Sequence, residues 1–151
     1  MMMTNAKSQA QFASRFLEEW IEAWNSHDLG RILSHYATDI ELTSTFVPRV
    51  LGIASSTVRG IGMLRLYFGE ALALYPDLKF VNGLVYNGAS SLVVQYQGIA
   101  GHLAAEMMSL NQEGRITRVY AHYREIPKNT FQIPKNSRPE EGSSTFALTS
   151  P

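Results

Sequence analysis

Gly101-His102-Leu103-Ala104-Ala105-Glu106-Met107-Met108-Ser109-Leu110 is a short apolar run, closed by Asn111-Gln112-Glu113-Gly114. The closing residues read as a hairpin turn, so the run reads as a strand. Side chains alternate across a strand, which puts His102, Ala104, Glu106, Met108 and Leu110 on one face. Leu103, Ala105, Met107 and Ser109 take the other. Both faces are largely apolar, so the strand is expected to be covered on both sides. Glu106 stands out as an acid among Ala and Met. A buried carboxylate is costly, and it acquires a hydrogen-bond partner, a raised pKa, or both. Glu106 therefore either lines a cavity where its acidity is useful or is held in a structural polar contact.

Strands flank this one on both sides in sequence. Leu78 to Tyr86 is followed by an Asn87-Gly88 turn, then Ser91 to Gln97, and Arg115 to Tyr123 comes after Gly114. Consecutive antiparallel hairpins make a meander. Upstream, Ile40 to Phe46 alternates, with Ile40, Leu42, Ser44 and Phe46 on one face, and joins the meander in one curled sheet. Val47 to Ser56 holds Pro48 and Gly52 and is expected to be loop or short, irregular strand.

Three helices precede or interrupt these strands. Ser8 to Asn25 carries Phe12, Phe16, Trp20 and Trp24 at four-residue spacing, with Glu18, Glu19 and Glu22 on the wet side, and Ser8 and Gln11 fit a capping box. The tryptophans read as core packing, although the donor-only Trp20 indole could serve a buried acceptor. Asp28 caps a second helix with Leu29, Ile32, Leu33 and Tyr36 in its apolar pattern. The third runs from Gly60 to Tyr75 and stops at Pro76. His27 and His35 read as surface or capping residues, because neither has a second ligand at metal spacing.

A length of 151 residues is that of one domain, enough to bury roughly 70% of its unfolded surface. Thirteen basic and thirteen acidic residues balance, which argues against nucleic acid and gives no reason to propose a membrane partner. The absence of cysteine removes disulfides and thiolate chemistry. Met1 to Lys7 is too polar and short for a signal peptide, and no apolar run reaches membrane length, so a cytoplasmic location is expected. The domain is placed at residues 8–125. Residues 126–151, with Pro127, Pro134 and Pro139 among polar neighbours, are expected to be a flexible or surface-draped tail.

The order helix, helix, strand, helix, meander resembles the nuclear transport factor 2-like superfamily, which includes ketosteroid isomerase and the SnoaL-like polyketide cyclases. The wording supports it: Trp20-Ile21-Glu22-Ala23-Trp24-Asn25-Ser26-His27-Asp28-Leu29, Tyr36-Ala37-Thr38-Asp39, Arg59-Gly60, and Gly114-Arg115-Ile116-Thr117-Arg118-Val119. The resemblance spans residues 10–125. It implies an α+β fold in which three N-terminal helices pack in the concave face of a curved, mainly antiparallel sheet, a cone with an apolar mouth. It also implies a homodimer through the outer sheet face, which agrees with the apolar outer residues.

Carried over residue by residue, the isomerase pattern holds only in part. Glu106 falls on the protonated acid of that enzyme's oxyanion hole, a buried carboxyl kept neutral to donate a hydrogen bond. Trp20 falls on the oxyanion-hole tyrosine. Ser44 falls on the aspartate base, and a serine hydroxyl cannot take an α-proton at neutral pH, so the usual steroid isomerisation is not expected. Glu106 could itself be the base, since desolvation raises its pKa toward the useful range. His102 shares its face about 13 Å away and is the histidine to consider, as scytalone dehydratase-like members use one in the cone. His122 has the parity of the outer face.

Two functions follow from the resemblance and these residues. One is a cofactor-independent isomerase, lyase or cyclase acting on a small apolar or cyclic carbonyl compound. In it Glu106 and His102 would be catalytic, and Trp20, Ser44, Phe46, Tyr67, Phe68, Met108, Val119 and Tyr123 would bind substrate. The other is a non-catalytic ligand-binding module or dimeric adaptor. Neither asks for a metal or a cofactor.

Overall fold

A computed structural model describes residues 6–124, so the 126–151 tail lies outside the described residues. Helix α1, Ala6–Ser26, and helix α2, Leu29–Leu33, are followed by strand β1, Tyr36–Thr43. Helix α3, Phe46–Leu51, strand β2, Thr57–Arg59, and helix α4, Ile61–Leu74, come next. The meander is β3, Val81–Asn87, β4, Ser91–Gln97, β5, Leu103–Leu110, and β6, Ile116–Arg124. One curved sheet runs β2-β1-β6-β5-β4-β3, antiparallel except where β1 lies parallel to β6. The architecture is α+β, with the helices against the concave face.

Register puts the inward side chains in rows. Leu42, Val119, Met108 and Leu92 are mutual cross-strand neighbours, all buried. The next row is Ala121, Glu106 and Val94, and the next Tyr123, Ala104 and Tyr96. Against them α1 lays Phe16, Trp20 and Trp24, and α4 lays Leu64, Tyr67 and Phe68, into one apolar core. Burial of these faces is the main favourable term for such a fold. On β5 the inward face is buried, whereas Leu103, Ala105, Met107 and Ser109 are only half-buried in the single chain.

Several boundaries differ from the sequence reading, each for a physical reason. Tyr36 fits the helical spacing of α2, but that helix ends at Leu33 and Tyr36 opens β1. Its hydroxyl accepts the Trp20 indole N–H at 3.1 Å. Phe46 opens α3 rather than ending a strand, and Pro48 sits within the first turn, where no helical N–H is needed. Gly52 ends α3 in the left-handed conformation, φ 68°. Leu78 to Phe80 does not join β3. The Leu78 carbonyl meets His27 Nε2 at 2.8 Å, and both backbone groups of Phe80 bond the Asn25 side chain, at 2.7 and 3.0 Å. The end of α1 therefore takes the groups a strand neighbour would use. Asn87 stands opposite Leu92, so the turn is longer than an Asn-Gly pair. Ser8 lies inside α1 and not at its cap. His27 holds a left-handed φ of 62°, and the side chain of His35 is only 12% exposed.

Candidate functional site

The Glu106 side chain projects from β5 into the concave side and is 7% exposed. The hydroxyl of Tyr96, on β4, donates to Oε2. Among the described residues no protein donor reaches the other carboxyl oxygen. Burial pushes the carboxyl up to about 7, and the Tyr96 hydrogen bond only partly offsets this. The group is therefore poised to hold or release a proton near neutrality.

Four tyrosines surround it. Tyr96, Tyr36, Tyr67 and Tyr123 all have raised pKa values, chiefly because they are buried and then because Glu106 discourages a second negative charge. Tyr67 is pushed to about 12, so each phenol stays neutral and able to donate. Ser44, just past β1, accepts the Phe46 N–H at 3.0 Å and donates to the Tyr123 hydroxyl at 3.3 Å. It is a local tie, with no base beside it to activate it.

These groups border a hollow of about 30 Å³, lined in part by Trp24, Ser44, Tyr67, Tyr96, Glu106 and Tyr123. That is room for about one or two water molecules. Aromatic rings take up the rest: Trp20, Phe80 and Tyr96 pack at centroid distances of 4.2 and 5.5 Å, and Trp24 meets Phe68 at 4.7 Å. A cyclic ligand has to move side chains to enter. Ile99 borders both this hollow and a wider outer cleft of about 350 Å³ between residues 74–79 and 98–101.

Of the residues singled out from the sequence, Glu106, Ser44, Tyr67, Phe68 and Tyr123 meet around the hollow. Phe68 and Tyr67 come from α4, Tyr123 from β6. Met108 and Val119 lie one row deeper, fully buried. Trp20 is 1% exposed, with its N–H committed to Tyr36, and lies behind the lining. Phe46 packs on Tyr123 at 4.6 Å and on His102 at 5.9 Å. His102 stays at the end of β5, where Nδ1 lies 3.1 Å from the Ile99 carbonyl, and it does not border the hollow.

Sequence reasoning did not include Trp24, Tyr36 and Tyr96. For Tyr96 a signal existed, since it has the inward parity of Leu92 and Val94 and stands two residues from the cross-strand neighbour of Glu106. For Trp24 the signal is structural: among the described residues, its Nε1 is the buried side-chain polar atom that meets no protein partner. The indole comes near enough to Tyr36 to favour the phenolate, but without a hydrogen bond.

Comparison with known proteins agrees with this architecture. The SnoaL-like domain model matches residues 17–124. The crystal structure of a SnoaL-like protein from Burkholderia thailandensis is similar at 38% identity and a TM-score of 0.70, over 76% of this chain and 95% of that one. A putative isomerase of the SnoaL-like family from Agrobacterium tumefaciens shares 17% identity and a TM-score of 0.56, over 77% and 97%. A steroid delta-isomerase from Pseudomonas aeruginosa gives the same identity and score over 83% and 85%. At that identity the likeness is one of fold. No curated protein matches the chain. Among the described residues no helix is long and apolar enough to cross a membrane. With most of the chain matched by one family model, and a relative above one-third identity lying along the same residues, the protein belongs to the SnoaL-like family of the nuclear transport factor 2-like superfamily.

Proposed function

We propose that the hollow receives the oxygen-bearing end of a small, mostly apolar carbonyl compound and that Glu106 moves a proton on it. The observation that carries this reading is a buried carboxyl near pKa 7 with one oxygen that no donor among the described residues reaches, bordering a hollow rimmed by neutral phenols. Ionised, Glu106 takes a proton from the carbon beside the carbonyl, and the electron pair of that bond moves to the carbonyl oxygen. Protonated, it returns the proton to the same carbon or to a conjugated one, which is isomerisation without a cofactor. The isomerase names of the two distant neighbours, one of them a steroid isomerase, fit this class, and at 17% identity the steroid is not carried over to this chain. Ser44, which the resemblance sets at the aspartate base, lacks that base's chemistry, so in this reading the proton abstraction falls to Glu106.

Solvent-deuterium exchange tests the reading. The α-protons of 2-cyclohexenone in D2O, followed by NMR, should exchange faster with protein present, and Glu106→Gln should remove the acceleration. Equal acceleration by both proteins overturns Glu106 as the proton carrier. The second reading, a non-catalytic binding module, draws on the tight aromatic filling of the hollow. It would show as binding that perturbs tryptophan fluorescence without exchange. In either reading we place a second copy of the chain on the outer sheet face, where Leu84, Tyr86 and Tyr120 are 48, 54 and 38% exposed beside half-buried Val93 and Met107.

A further inference from the structure

Trp20 and Trp24 lie one helical turn apart on α1 and differ in one respect. The Trp20 indole N–H donates to Tyr36 at 3.1 Å, whereas among the described residues no acceptor meets the Trp24 N–H in hydrogen-bond geometry. A buried donor without an acceptor forfeits the hydrogen bond it had in water, and native proteins leave few such groups. Trp24 is 5% exposed, and its ring is held by Phe68 at 4.7 Å, Phe80 at 5.2 Å and Trp20 at 6.3 Å. Those contacts hinder the rotation that would find a partner elsewhere. The same ring borders the hollow onto which Glu106 opens.

We infer that the Trp24 indole N–H is the positioning donor for the ligand's oxygen, making the site selective for molecules that present an acceptor, such as a ketone, over hydrocarbons of equal shape. The inference rests on the ligand-binding part of the reading above and extends it. An indole N–H only donates, so it selects for a carbonyl oxygen and gives nothing to an ammonium or a plain hydrocarbon edge. Tyr36 accepts the Trp20 N–H at 3.1 Å, and the Trp24 N–H does not meet it in hydrogen-bond geometry. Trp24 and Glu106 line the same small hollow, so an oxygen held at Trp24 keeps the rest of a small ketone in the space that Glu106 borders.

The chain has two tryptophans, so two indole N–H resonances report on the question directly. A 15N-labelled sample, assigned by triple resonance, is titrated with acetone, cyclopentanone and 2-cyclohexenone, with cyclopentane as the carbonyl-free control. The expected result is a saturable downfield shift of the Trp24 indole proton with at least one ketone, a Trp20 resonance that stays in place, and no downfield shift with cyclopentane. Trp24→Phe should weaken ketone binding about ten-fold while changing cyclopentane binding much less. If that variant does not fold, the native Trp24 resonance still decides. A Trp24 proton that stays fixed with every ketone overturns the inference, as does a Trp24→Phe loss equal for ketone and hydrocarbon. Deuterium exchange that depends on Glu106 while the Trp24 proton stays fixed sinks this inference alone. A Trp24 shift without exchange keeps it and removes the proton transfer.

Discussion

Replacing Glu106 with glutamine should abolish a specific part of the pH dependence of stability. A glutamate titrates near 4.5 when exposed, and here burial moves it to about 7. Between those values the folded protein holds a proton that the unfolded chain has released. Stability from this group is therefore complete below about pH 4.5, falls as pH rises, and is lost above about 7. At about 1.4 kcal/mol for each pH unit between the two values, the loss is about 3 kcal/mol. The groups facing Glu106 do not blur this. Tyr96 on β4, Tyr36 on β1, Tyr67 on α4 and Tyr123 on β6 are all shifted upward and stay neutral over the range. Glutamine keeps an acceptor for the Tyr96 hydroxyl and never charges. Urea unfolding of both proteins from pH 4.5 to 8 isolates the effect, because other titrations cancel in the difference. The wild type should lose about 3 kcal/mol relative to Glu106→Gln on going from the acid to the alkaline end. Profiles that stay parallel within about 1 kcal/mol, the uncertainty of the extrapolation, would refute the claim that Glu106 is buried and proton-binding at neutrality.

Tyr96→Phe removes the donor that favours the Glu106 carboxylate. The carboxyl should then titrate above its present value of about 7, and a 13C carboxyl titration checks the direction. In sedimentation at micromolar concentration the chain should behave as about twice its 16.9 kDa mass. Met107→Glu, on the outer face, should return it to the monomer, and a monomeric wild type would remove the second copy from the account.

How much of this could be read from the chain depends on what each signal measures. Alternation around Glu106 identified β5 and its inward face, since strand parity is a local property. The four-residue aromatic spacing found α1 for the same reason. Tyr36 misled because 29, 32, 33 and 36 satisfy a helical stripe equally well, and only the Trp20 hydrogen bond shows why the chain turns into β1 there. Pro48 and Gly52 looked like breakers, yet one lies in the first turn of a short helix and the other ends it. The three residues of β2 carry too little pattern to announce a strand. At the site, Glu106 was legible as a lone acid among apolar neighbours. The parity of Tyr96 was legible, but its pairing with Glu106 was not, because the register of β4 on β5 follows residues 98–102, which include a 3-10 turn and Ala100 at φ 55°. Register set by an irregular connection cannot be counted off in advance. The size of the hollow depends on how the seven aromatic rings that line it interlock, which composition does not encode.

The parallel pairing of β1 with β6 has a consequence for biogenesis. Ser44 and Leu42 face Tyr123 and Val119 only because the last strand of the sheet lies beside the first. Until residues 116–124 have emerged from the ribosome, β1 has only the three residues of β2 for a neighbour, and one wall of the chamber around Glu106 is absent. Closing a contact across some eighty residues is slow compared with forming hairpins. The acid is thus synthesised before its enclosure exists, and meets its unusual environment only in the final stage of assembly.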